Sequence, residues 1–207
     1  MPAPAGSATG GSGPEWSGTR EGQEPVKPRQ VKNVAGILLA LAATTIAASA
    51  IGERLPRLEA GTLGGQRLVL PDSAGGNIAL LGFAYKRESQ NDLNSWLVPF
   101  RQEYPSAKGF RACEIPMMGR KIPGLLRGVI NMAMRNATAK ENRRWVVPFY
   151  GDIDDYSKRL SVTDRSRVQM LLLDGSGVVR WHASGRADST GLAGLRLEVA
   201  KLAAGEY

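Results

Sequence analysis

One cysteine, Cys113, and one histidine, His182, stand in a chain of 207 residues. A single cysteine excludes an intramolecular disulfide and a cysteine-built metal cluster, and a single histidine leaves little for a zinc site or a hydrolytic triad. Large apolar residues are nearly missing from Met1 to Gln30, where Gly, Pro, Ser, Glu and Thr dominate. Such a stretch cannot offset its own ordering entropy and reads as a disordered tail or a targeting segment, although Glu15, Glu21 and Glu24 are unusual for an import signal. Acidic residues are scarce where basic ones crowd. From Ala107 to Tyr150 there are nine basic residues against two acidic ones, Glu114 and Glu141, and this difference of seven is most of the formal net charge of +8. An anionic partner, an acidic membrane surface or a mitochondrial destination fits that charge. Nucleic acid fits it less well, because no aromatic rings are interleaved with the basic residues of 116–144 for bases to stack on.

What is present is enough apolar side chain, 43% of residues, to bury the core of one domain of ordinary size. The one long uncharged stretch is Val34 to Ile51, which as a helix rises about 27 Å against a hydrocarbon thickness of about 30 Å. It is rich in alanine and holds Thr44, Thr45 and Ser49, so its insertion is less favourable than that of a leucine-rich span. A single-span anchor over 31–53, a processed targeting segment and a surface-lying helix all remain open. Lys27, Arg29 and Lys32 before it and Arg54 and Arg57 after it leave its orientation open as well.

The folded domain is expected over 63–204. Gln66 to Leu70 is a candidate first strand, and Ile78 to Phe83 is an unbroken apolar run suited to a central strand covered on both faces. A helix is expected from Ser89, whose hydroxyl is placed to cap the amide of Asp92. It carries Leu93, Trp96, Leu97, Phe100 and Tyr104 on one face and Pro99 inside it as a source of a kink. Phe110 to Ile115 reads as the next strand, parallel to the first and reached by a right-handed crossover. Cys113 falls in it, as a small buried hydrophobe. Val146–Phe149 suits an edge strand that tolerates Pro148. Asp152, Asp154 and Asp155 lack the spacing of a calcium loop and suit the N-terminus of a short helix. Val168 to Leu173, an Asp174–Gly175 turn and Val178 to His182 form a hairpin signal, and Thr190 to Ala203 a closing helix.

The segment 116–144 is a basic insertion. Pro123 suits the first turn of a helix whose Leu125, Leu126, Val129, Ile130, Ala133 and Met134 are apolar, while Arg127, Asn131 and Arg135 form a polar line. This helix either packs its apolar side on the sheet and leaves a solvated basic face, or docks on a membrane or a partner. For docking, the candidate residues are Arg120, Lys121, Arg127, Met132, Met134, Arg135, Arg143 and Arg144.

Strand, loop and proline-containing first helix together resemble the thioredoxin and peroxiredoxin superfamily. The resemblance implies an α/β, thioredoxin-like fold: a central mixed sheet with flanking helices, here with the basic helical insertion and an N-terminal apolar helix added. In that superfamily the first-helix proline follows the second cysteine of Cys-x-x-Cys by five residues. Counting back from Pro99 reaches Asn94, with Asn91 in the first position. These are the lost redox positions, since an asparagine has no thiol to activate. The superfamily's cis-proline ahead of the hairpin is replaced by Arg165-Ser166-Arg167.

Phe83-Ala84-Tyr85, Trp96, Phe100-Arg101, Trp145-Val146, Tyr150-Gly151-Asp152, Leu173-Asp174-Gly175, Val179-Arg180-Trp181 and Ser184-Gly185-Arg186-Ala187 further resemble the mitochondrial ATP synthase assembly factor family called Atp-ten. That resemblance implies a chaperone, not an enzyme, without cofactor or metal, on the matrix side of the inner membrane. Its partner there is a hydrophobic channel subunit of ATP synthase. The alternatives are a peroxiredoxin-like oxidoreductase using Cys113 and a membrane-anchored thioredoxin-like binding module of a bacterial envelope.

Overall fold

The computed structural model describes residues 51–207; the tail over 1–30 and nearly all of the apolar stretch Val34–Ile51 lie outside them. Among the described residues no helix is long and apolar enough to cross a membrane.

The described residues open with a hairpin of β1 (Leu58–Gly61) and β2 (Arg67–Leu70), a two-stranded antiparallel sheet of its own. The central sheet follows: β3 (Ile78–Ala84), helix α1 (Gln90–Glu103) and β4 (Phe110–Pro116), with β4 parallel to β3. Helix α2 (Gly124–Ala137) and a short 3-10 segment at Lys140–Trp145 lead to α3 (Ile153–Arg159). The hairpin β5 (Gln169–Leu173) and β6 (Val179–Ser184) and helix α4 (Ser189–Ala204) complete the domain. The sheet order is β4-β3-β5-β6, parallel at its first pair and antiparallel at the others. This is the mixed, helix-flanked sheet of a thioredoxin-like fold.

The unbroken apolar run of β3 has the expected cause: both of its faces are covered. Leu80, with Leu93, Trp96, Leu97 and Phe100 of α1 and Leu195 and Val199 of α4, forms one layer of core. Leu81 and Phe83, on the opposite face, pack with Leu58 and Leu70 of the hairpin, Tyr156 of α3 and Cys113. Leu55 and Leu58, upstream of Leu63, belong to this second layer. At roughly 1.5–3 kcal/mol for each fully buried large side chain, these two layers are the main stabilising term.

Periodicity alone does not place three details. Ser89 occupies the N-cap of α1 but makes no capping hydrogen bond; its side chain is buried, and a 3-10 turn at Arg87–Ser89 precedes the helix instead. Strand β1 gives no sequence signal because Leu-Glu-Ala-Gly is too short and mixed to show alternation. Val146–Phe149 runs parallel beside β4 through two isolated bridges, Glu114 to Val146 and Met117 to Phe149, with Pro148 on the side away from β4 where no ladder bond is needed.

The hairpin turn is built by Asp174. Its Oδ1 accepts from the amides of Ser176 and Val178 at 2.9 and 3.0 Å, and its Oδ2 accepts from Arg180 Nε at 2.7 Å. Asp188 caps α4 by accepting from the Gly191 amide at 2.7 Å. Trp96 Nε1 donates to the Gly185 carbonyl at 2.7 Å, and its ring meets Trp181 edge-on at 5.4 Å, tying α1 to the end of the hairpin.

Candidate functional site

The loop after β3 delivers the chain into α1 at the place where the superfamily keeps its dithiol. Asn91 is the second residue of α1 and exposed; Asn94 is half-buried, and its Oδ1 accepts from Gln90 Nε2 at 3.3 Å. Glu114 of β4, hydrogen-bonded to Gln90 of the same turn, is half-buried. Burial pushes its carboxyl above the usual carboxylate range, and a hydrogen bond with Gln90 and the charge of Arg101 only partly oppose this. Asp92 in the same turn lies 3.9 Å from Arg186. The site thus holds carboxamides and carboxylates but no sulfur.

The sole thiol lies elsewhere. Cys113 is on the face of β4 away from α1, opposite Leu81, inside the layer of core beneath the β1–β2 hairpin. Burial raises its pKa to about 12 despite Arg101 and Arg111 nearby, so at neutral pH it is a thiol out of contact with solvent.

Helix α2 reverses the expected orientation of its faces. The helix has no buried residue. Of the polar line, Arg127 and Asn131 turn inward onto Tyr150: Arg127 lies over its ring at 5.0 Å, and the Tyr150 hydroxyl donates to Asn131 Oδ1 at 2.7 Å. Arg127 Nε also donates to the Ile122 carbonyl at 2.9 Å, and Ile130 and Met134 are half-buried on the same side. Outward, at i, i+4 and i+7, stand Leu125, Val129 and Met132, exposed by 92%, 62% and 62%, with Leu126 at 53% beside them. The expectation of an apolar side packed on the sheet is therefore corrected. Both faces of the sheet are already occupied, one by α1 and α4 and the other by the β1–β2 hairpin and α3, so α2 finds no apolar surface to cover.

The eight candidate docking residues divide accordingly. Lys121, Met132 and Arg135 are exposed, Met134 is half-buried, and Arg120 pairs with Asp152 at 2.5 Å. Arg127 is committed to Tyr150. Arg143 Nε donates to the Thr138 carbonyl at 3.0 Å, holding the chain just past α2. Arg144 belongs to a different place: with Arg111 it lies over the Trp145 ring, each guanidinium 5.2 Å from its centre. These three residues, with Gln66 and Ser106, line a shallow cleft of about 450 Å³. Sequence reasoning misses Tyr150 as the support of α2 and Trp145 as a platform for two arginines. The available signal is the placement of an aromatic residue after each basic stretch.

The other predicted side chains have local roles. Asp152 caps α3 through the Asp155 amide at 3.0 Å, Asp154 pairs with Arg165, and Asp155 pairs with Arg159. Arg167 packs against Gly185, whose φ of +83° suits glycine. His182 is half-buried with Nε2 2.9 Å from Gln169 Oε1, and burial holds its pKa below the ordinary histidine range.

No family model matches the chain, and no curated protein matches it. Solved structures do. The thioredoxin domain of a thiol-disulfide oxidoreductase from Bacteroides vulgatus superposes with a TM-score of 0.52 at 15% identity, over 71% of this chain and 96% of that one. A candidate protein disulfide isomerase from Bacteroides thetaiotaomicron gives 0.51 at 16% identity, over 73% and 89%. A candidate thiol:disulfide interchange protein from Chlorobium tepidum gives 0.50 at 18%, over 73% and 96%. At these identities the likeness establishes the thioredoxin-like fold. The expectation that the chain is not an enzyme is withdrawn, since the solved structures that share its architecture are named for thiol-disulfide chemistry. The expected thioredoxin-like fold stands, while the narrower assembly-factor resemblance gains no matching family.

Proposed function

We propose that this chain is a thioredoxin-like binding module of a bacterial envelope that engages its partner through the outward face of α2. The observation that carries the reading is the reversed helix, with four large apolar side chains more than half exposed on an element whose Arg127 and Asn131 are pinned inward. Contiguous exposed apolar surface of this kind marks an interaction site more often than a solvated face. Fold-level likeness to bacterial thiol-disulfide proteins supports a thioredoxin-like module. The narrower role, assembly of the ATP synthase membrane sector, calls on the same surface and draws no support from the comparisons.

The test uses the full chain expressed in a bacterium, with a photoreactive amino acid at Val129 or, as a control, at the exposed Leu197 of α4. Adducts from Val129 and none from Leu197 are expected; no adduct from Val129 overturns the reading. Protease added to spheroplasts should cleave the folded domain if it lies in the envelope.

The second reading is a one-cysteine oxidoreductase, favoured by the chemistry for which the structural neighbours are named. Any thiol-dependent turnover must then run through Cys113 and vanish in Cys113→Ser. A turnover that survives this substitution removes thiol chemistry from the account.

A further inference from the structure

We infer that the occupant of the α2 face is the surface of an anionic lipid bilayer, on which α2 lies as an interfacial helix; this rests on the docking reading above and names its partner. Three observations point to lipid. The first is shape: Leu125, Val129 and Met132 form a ridge standing out from the body, with Leu126 at its side, and not a groove that would receive another chain. A ridge one helix wide can sink into the boundary between headgroups and acyl chains, where the apolar face of an interfacial helix resides.

The second observation is charge. From Pro116 to Lys140 the chain holds Arg120, Lys121, Arg127, Arg135 and Lys140 and no acidic residue. Arg127 is turned inward and Arg120 is paired with Asp152. Lys121, Arg135 and Lys140 are exposed and have no carboxylate partner among the described residues. The surplus of positive charge beside the ridge complements anionic headgroups. A protein partner would have to match both the ridge and this charge; an anionic bilayer offers both along its whole surface.

The third observation is mechanical. The inward side of α2 is fixed by the hydrogen bond of Asn131 to Tyr150 and by Arg127 on the same ring, so the ridge is held outward before any contact is made. Binding then requires no rotation of the helix.

The experiment uses the full chain with Leu125→Cys carrying an environment-sensitive fluorophore; buried Cys113 is protected from the labelling reagent. Vesicles of phosphatidylcholine alone are compared with vesicles containing phosphatidylglycerol, and chain-brominated lipid reports depth. A blue-shifted, bromine-quenched probe in the anionic vesicles is expected, with a probe at Leu197→Cys remaining in water. Lys121→Gln with Arg135→Gln should weaken the anionic-vesicle response by about fivefold for each charge removed, or roughly 25-fold together. A Leu125 probe that stays aqueous in both vesicle types, or is immersed equally in both, overturns the inference. If it stays aqueous while Val129 crosslinks to a protein in cells, the docking module survives and its lipid partner does not. If Val129 also yields no adduct, both fall.

Discussion

Helices α1 and α2 are each 14 residues long and each carries apolar side chains at helical spacing, yet one buries Leu93, Trp96, Leu97 and Phe100 and the other buries nothing. Their amphipathic patterns do not separate them; their connections do. Helix α1 links β3 to its parallel neighbour β4, and this crossover lays it across an open face of the sheet. Helix α2 leaves β4 after both faces are spoken for, so Leu125, Val129 and Met132 meet solvent while Arg127 and Asn131 meet Tyr150. A hydrophobic stripe therefore marks what a helix can cover, and topology decides whether there is anything there to cover.

The sharpest way to break this comparison is truncation at matched positions. Trp96→Ala removes a buried ring, its edge contact with Trp181 and the hydrogen bond to Gly185, and should cost about 3–5 kcal/mol in denaturant unfolding. Leu125→Ala, at the exposed end of α2, should stay within about 0.5 kcal/mol. A loss at Leu125 approaching that at Trp96 would mean that α2 is covered in solution.

Titration gives a second contrast, between the sealed thiol of Cys113 and the half-buried imidazole of His182. The pKa of Cys113 is raised from 9.0 to about 12, so its neutral form is favoured in the folded protein and its thiolate in the unfolded chain. This contribution to stability is complete below pH 9 and is lost as pH rises from there toward about 12, by up to about 1.4 kcal/mol for each pH unit. Alkaline unfolding of the wild type compared with Cys113→Ala measures it: the variant should lack this part of the slope. His182 acts in the opposite direction. With its pKa lowered by burial, its contribution is present above the ordinary histidine range and declines as pH falls through it.

A smaller effect tests the support of α2. Tyr150→Phe removes the hydroxyl that donates to Asn131 and leaves the ring beneath Arg127 in place. The expected cost is about 1 kcal/mol. Amide exchange should rise in α2 and remain unchanged in α1.

The central layers are legible in the amino-acid pattern alone. The apolar run at Ile78–Phe83, the stripe from Leu93 to Tyr104, the Asp174–Gly175 turn and the line Leu192, Leu195, Val199 and Leu202 each appear where periodicity or turn chemistry places them. The site is less legible. Ile130 and Met134 on the inward side of α2 and Leu125, Val129 and Met132 on the outward side are equally apolar, so the pattern alone does not say which set is covered. Only Tyr150, distant in sequence from Arg127 and Asn131, decides the rotation. The failed cap at Ser89 has a similar origin: its side chain is drawn into the interior by contacts that no local motif describes.

Pro148 has a consequence beyond its own strand. Strand β4 lies at the end of the sheet, where an open row of backbone groups invites a further strand from another molecule. Val147 and Phe149 donate to the Glu114 and Pro116 carbonyls of β4 at 2.8 Å each, occupying that row. On the outer side the Val146 carbonyl is already taken by the Leu63 amide at 2.9 Å, and Pro148 has no hydrogen to offer. The segment covers the edge and then declines to become a new one. Strand addition by another molecule is disfavoured on this flank.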